Sequence, residues 1–154
     1  MSGFQKAVWL GIAAGMRSML APAIASNYFV QNDAKVEESP LKYLASESVA
    51  KILAVAAAGE LIADKLPCIP SRISPGPLTG RAISGAICGA AICAASGERR
   101  DVGALTGGLA AVVSAFAFYN LRRKLSASTR LPDPVLALSE DLIAIKIARH
   151  ALKA

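Results

Sequence analysis

The chain has 154 residues, the size of one domain, of which 54% are hydrophobic and only 5% aromatic, and its mean hydropathy is +0.45. That balance excludes an ordinary soluble domain, because the excess lies in Ala, Gly, Leu, Ile and Val, the residues that let helices approach closely in lipid. The net charge of +6 does not mark a nucleic-acid binder either: basic residues stand at the ends of apolar runs, as in "NLRRKL" and "GERRD", and form no stripe interleaved with aromatics.

The first apolar stretch, residues 4–29, is long enough to cross a bilayer with some tilt, and Trp9, Tyr28 and Phe29 stand toward its ends as interfacial aromatics do. It is too long for a signal peptide, and Arg17 interrupts its middle. A polar, acidic loop follows, with a short surface helix after Pro40 as an option. The second span, 49–66, stops at Pro67, and "PCIPSRISPGPLTG" beyond it is too rich in prolines for regular helix. The third span, 81–97, is nearly all small residues and belongs between neighbours. The fourth, 102–121, ends in the anchor Arg122-Arg123-Lys124, and the fifth, 134–149, either spans or lies in the interface as an amphipathic helix. The expected fold is therefore an all-α, multi-pass integral membrane bundle of about five spans forming a single domain over 1–154.

Three GxxxG pairs fall in three spans: Gly11 with Gly15, Gly85 with Gly89, and Gly103 with Gly107. They predict close backbone approach, either inside the chain's own bundle or along a seam between two copies. The wording "GELIADKL" around Glu60 is echoed by "SEDLIAIKI" around Asp141, and "GIAAG" by "GALTG". With five spans these segments would run in opposite directions, as in the inverted repeats of transporters.

Charged side chains in such spans need partners, since an unpaired one at mid-membrane costs about 2.5 kcal/mol or more. Arg17 is the base set deepest, and Glu60 is its expected partner. Asp64 shares a helix face with Glu60, and Arg81 is within expected reach of Asp64 or of Glu140 and Asp141. The expected polar cluster is thus Arg17, Glu60, Asp64, Arg81 and Asp141. Two uses of it stay open: an ion-pair belt that fixes helix register, or a site for an ion, proton or small solute.

No catalytic residue, metal site or cofactor is expected. Cys68, Cys88 and Cys93 lack CxxC spacing, and His150 is alone. Ser18, Ser71, Thr79 and Ser84 have no histidine nearby in sequence, although Arg72 and Arg81 suit a phosphate headgroup.

The segments "GMRSMLAP", "GELIADKLPCIPSRISPGPLTGRAISGA" and "LPDPVLALSEDLIA" together resemble the uncharacterised bacterial membrane proteins of domain of unknown function 4126, across nearly the whole chain. The resemblance implies a small multi-pass protein of the cell inner membrane, and it implies no activity, substrate or catalytic residue. From the residues, the leading expectation is a transporter or permeation unit for a small solute or ion. The alternative is a structural or accessory membrane protein that stabilises a partner complex, with a membrane enzyme third. Basic residues tally evenly on the two sides of a five-span arrangement. The short "LRRK" loop tips the expectation toward a cytoplasmic N-terminus and an outside C-terminus, while an even tally also permits insertion both ways.

Overall fold

A computed structural model of the chain describes residues 1–32, 40–63, 73–128 and 133–153. Those residues form six α-helices and one short 3-10 helix, without strands: α1 (Gly3–Met16), α2 (Leu20–Gln31), the 3-10 helix (Pro40–Ala45), α3 (Glu47–Ala63), α4 (Pro75–Ala95), α5 (Arg100–Ser128) and α6 (Asp133–Lys153). The all-α expectation holds. Two of the helices, α4 and α5, are long and apolar enough to cross a membrane.

Small residues decide how the centre packs. Gly11 and Gly15 of α1 lie against the backbone at Gly107 and Ala111 of α5, and Gly85 and Gly89 of α4 lie against Gly107 and Gly103. All three GxxxG pairs therefore serve the interior of one chain, where helix backbones meet at glycine with no side chain between them. Their order gives the directions. As α1 advances from Gly11 to Gly15 its neighbours on α5 advance from Gly107 to Ala111, so α1 and α5 are parallel, and α4 runs against both.

The expected first span, 4–29, is not one helix. α1 opens with a capping box, in which the Gln5 amide donates to Ser2 Oγ and the Ser2 amide to Gln5 Oε1, and it stops at Arg17, whose backbone is extended at φ −143° and ψ 112°. The reason lies in Pro22. A continuous helix would bring the proline ring against the Ser18 carbonyl and leave that oxygen without its N–H, whereas in the first turn of a new helix proline costs nothing.

Past the break, α2 doubles back. On α6, Asp141 lies at Arg17 and His150 meets Trp9 edge-on at 6.5 Å, so α6 is antiparallel to α1. Ile24 of α2 packs against the cluster that holds Ala144 and lines one groove with Ile145 and Arg149, all beyond Asp141, where a straight extension of α1 would have reached residues before it. The start of α1 and the end of α6 consequently share one end of the bundle: Ala7, Ala151 and Leu152 lie in one buried cluster. An N-terminus and a C-terminus at opposite ends, as five crossings require, do not fit this arrangement.

The inverted repeat fares unevenly. Glu60 and Asp141 both reach the break, while Lys51 and Arg149 line the other end of a shared groove, so α3 and α6 run oppositely as the repeat requires. α1 and α5, matched through "GIAAG" and "GALTG", run in the same direction, and that half of the echo fails.

Polarity is distributed inside out. Arg17 is the largest of the fully buried side chains, in an interior whose buried residues are mostly small, whereas Val55, Leu105 and Val113 are 73%, 63% and 67% exposed. Outward aliphatics around a small-residue, charge-bearing interior are consistent with a membrane protein.

Candidate functional site

The break between α1 and α2 exposes backbone groups that a continuous helix would satisfy internally. The last carbonyls of α1 and the first amides of α2 have no helical partner, and they carry the negative and positive ends of the two helix dipoles. Side chains from two other helices, α4 and α3, meet these needs. Arg81 of α4 donates from Nη1 to the carbonyls of Gly15 and Met16 at 2.7 and 2.9 Å, placing a cation at the end of α1. Ser84, one turn on, donates its hydroxyl to the Ser18 carbonyl, the oxygen that Pro22 leaves unserved.

Glu60 of α3 supplies the anion. Its Oε1 accepts from the amide and the hydroxyl of Ser18, both at 2.9 Å, and its Oε2 accepts from the Met19 amide at 2.8 Å. Met19 itself offers no side-chain cap to α2, so a carboxylate from another helix does that work. The same device recurs at the other end of the bundle, where Gly97, at φ 70°, turns the chain after α4. Glu98 then accepts from the amides of Gly3 and Phe4 at 3.0 and 2.9 Å, capping α1.

Arg17, 2% exposed, turns its guanidinium to α6, where Nε and Nη2 converge on Asp141 Oδ1 at 2.6 and 2.5 Å. The neighbouring Glu140 takes a different arginine, Arg122 of α5, at 3.5 Å. Consecutive acids on α6 therefore fasten it to α1 and to α5.

Four of the five expected cluster residues, Arg17, Glu60, Arg81 and Asp141, meet at the break; the fifth, Asp64, lies outside the described residues. The pairing differs from expectation. Glu60 serves the Ser18 and Met19 backbone and not Arg17, because the start of α2 is itself a positive site that a nearby carboxylate satisfies without a second side chain. Arg81 serves α1 carbonyls, and Asp141 takes the role foreseen for Glu60. Arg72, Ser71 and Cys68 lie outside the described residues.

Sequence reasoning missed Ser84 and the backbone of residues 18 and 19 as members of the site. Pro22, in "MLAPAI", was the signal that a helix starts there instead of passing through. Among the described residues, no group of three or more His, Cys, Asp and Glu is arranged to hold a metal.

Chemically, the site is a set of fixed charges and dipoles within an apolar shell. Of its two described carboxylates Glu60 is the more accessible, being half-buried where Asp141 is 6% exposed. It also stands beside Leu61, which with Leu20 closes the inner end of a groove between α2, α3 and α6.

The family model described as Domain of unknown function (DUF4126) matches residues 6–154. No curated protein and no solved structure matches the chain.

Proposed function

The chain belongs to that family, and from its own residues we propose that it is a multi-pass protein of the cell inner membrane that moves a small solute or ion past the break between α1 and α2. One observation carries this reading: two half-helices end against each other inside an apolar shell, with the half-buried Glu60 at the positive end of α2. Half-helix ends offer partial charges without the cost of burying a full one, and transporters build midplane sites from such interrupted helices.

The test is flux. Purified full-length protein in liposomes should pass at least one member of a panel of protons, alkali cations and small anions faster than protein-free vesicles do. Glu60→Gln, which keeps one acceptor oxygen on the α2 amides, should lower that flux about tenfold or more, on the scale of losing a charged hydrogen bond. Folded protein without flux for any panel member would overturn the reading.

A second reading has its own observation. The Gly15, Met16 and Ser18 carbonyls and the Ser18 and Met19 amides all find partners within the chain, which suits a rigid scaffold. A structural or accessory membrane protein of that kind would show no flux and would co-purify with a fixed partner.

The shared end of α1 and α6 sets a further expectation for this membrane arrangement. Reporter fusions before Met1 and after Ala154 should report the same compartment, because the α1–α2 turn adds no net crossing. Opposite signals from the two fusions would mean that α2 continues α1 across the bilayer.

A further inference from the structure

Helices α2, α3 and α6 leave between them a groove of about 670 Å³, within the size range of ligand sites. Leu20 and Ile24 of α2 form one wall, Ala54, Ala58 and Leu61 of α3 the other, and Ile145 of α6 adds to the lining. From Leu20 to Val30 the groove follows α2 for about 15 Å at helical rise, close to half of a hydrocarbon core about 30 Å thick. Its width comes from the alanines of α3, where larger side chains would have closed the helices' flank.

At the end away from Leu20 and Leu61 the lining turns polar, with Asn27, Lys51 and Arg149. Among the described residues Lys51 is paired only with Glu47, at 3.6 Å and with both side chains more than 70% exposed. Arg149 is exposed and makes no hydrogen bond or ion pair among the described residues. Aromatics mark the same end: Trp9 meets His150, the residue after Arg149, and Tyr43, 61% exposed, stands just before α3. Cations and aromatic rings gather in this way at headgroup depth.

We propose that the groove holds an acyl chain of an acidic phospholipid from the surrounding bilayer, with the headgroup between Lys51 and Arg149. Charge complementarity selects this occupant. Two cations face one acid, Glu47, and the surplus suits a phosphate head that brings no cation of its own, whereas a choline head would set a third positive charge beside them. Polar end, apolar trough and length follow one another in the order a lipid presents in a single leaflet. The binding is independent of whether a solute crosses at the helix break.

The test uses the full chain, as wild type, as Lys51→Gln with Arg149→Gln, and as Ala54→Phe. Each is reconstituted in vesicles of equal phosphatidylglycerol and phosphatidylcholine, extracted in mild detergent, and weighed with its retained lipid by native mass spectrometry. The wild type should keep about one phosphatidylglycerol per chain, as a single groove of this size allows. The double variant, altered only at exposed side chains, should keep about tenfold less, since each cation at headgroup depth contributes to holding an acidic lipid. Ala54→Phe should lose phosphatidylglycerol while retaining its unfolding temperature. Equal retention of phosphatidylcholine, no lipid on the wild type, or a double variant that binds like the wild type would overturn the proposal. So would a two-chain species abolished by Ala54→Phe, which would give the groove to a second copy.

Discussion

Replacing Asp141 by Leu should cost about 3–5 kcal/mol of stability, because it leaves the Arg17 guanidinium, 2% exposed, facing a hydrocarbon side chain in place of the oxygen that both Nε and Nη2 approach. The loss should be largely recovered when Arg17 is changed to Leu in the same chain, since two apolar side chains of suitable volume need no partner and the removed charges no longer carry a desolvation cost. Urea or thermal unfolding of the purified protein in detergent measures both. A second double variant gives the contrast. Arg17→Leu with Glu60→Leu should be no better than the sum of its parts, because Glu60 holds the amides of Ser18 and Met19 and its loss uncaps α2 whatever stands at Arg17. Recovery in that second pair and not in the first would mean that Arg17 and Glu60 are coupled and that α6 is fastened by something else.

The contrast between those two double variants also shows what was legible in the sequence. Helix content was legible, as were the cores of α4 and α5, because long apolar runs bounded by Pro, Gly and charges have few other solutions. The glycine pairs were legible as sites of close approach. That Arg17, Glu60, Arg81 and Asp141 belong together was legible too, since buried charges in a small-residue bundle must find polar company.

Which group takes which partner was not. Asp141 is 124 positions from Arg17, and only the antiparallel placement of α6 on α1 brings them together. A rule that pairs acid with base also overlooks backbone, and two of the four charged side chains at the break, Arg81 and Glu60, spend hydrogen bonds on main-chain carbonyls and amides. The break itself was hidden because residues 4–29 are apolar on both sides of Arg17, so hydropathy runs straight through it. Pro22 records the break, but proline also occurs inside membrane helices, and only the hairpin decides between the two meanings. The groove was hidden for a similar reason: Ala54 and Ala58 read as helix formers and not as the floor of a cavity until α2 and α6 stand beside them.

Gly107→Ala should destabilise the protein by about 3 kcal/mol or more, the upper end of what overpacking costs, and Gly107→Leu should prevent assembly of the bundle. Gly107 is where three helices meet. A Cβ there would overlap the Gly85 carbonyl of α4 and press within 3.2 Å of the Gly89 Cα, while the carbonyl of Gly107 already fills the space beside Gly11 of α1. The obstructing atoms are main chain on helices held by many other contacts, so no side-chain rotation can make room. Gly108, the next residue, supplies the control. Its Cβ would lie 3.4 Å from the Ala82 carbonyl and 3.5 Å from the Ala86 side chain, at or near ordinary contact distances, so Gly108→Ala should be neutral or should stabilise the helix by up to about 1 kcal/mol through propensity alone. Thermal unfolding of the two variants side by side in one detergent reads the difference directly. Equal behaviour of the two alanines would mean that α1, α4 and α5 stand farther apart than backbone contact, and the turn from α1 into α2 would then have no fixed wall to press against.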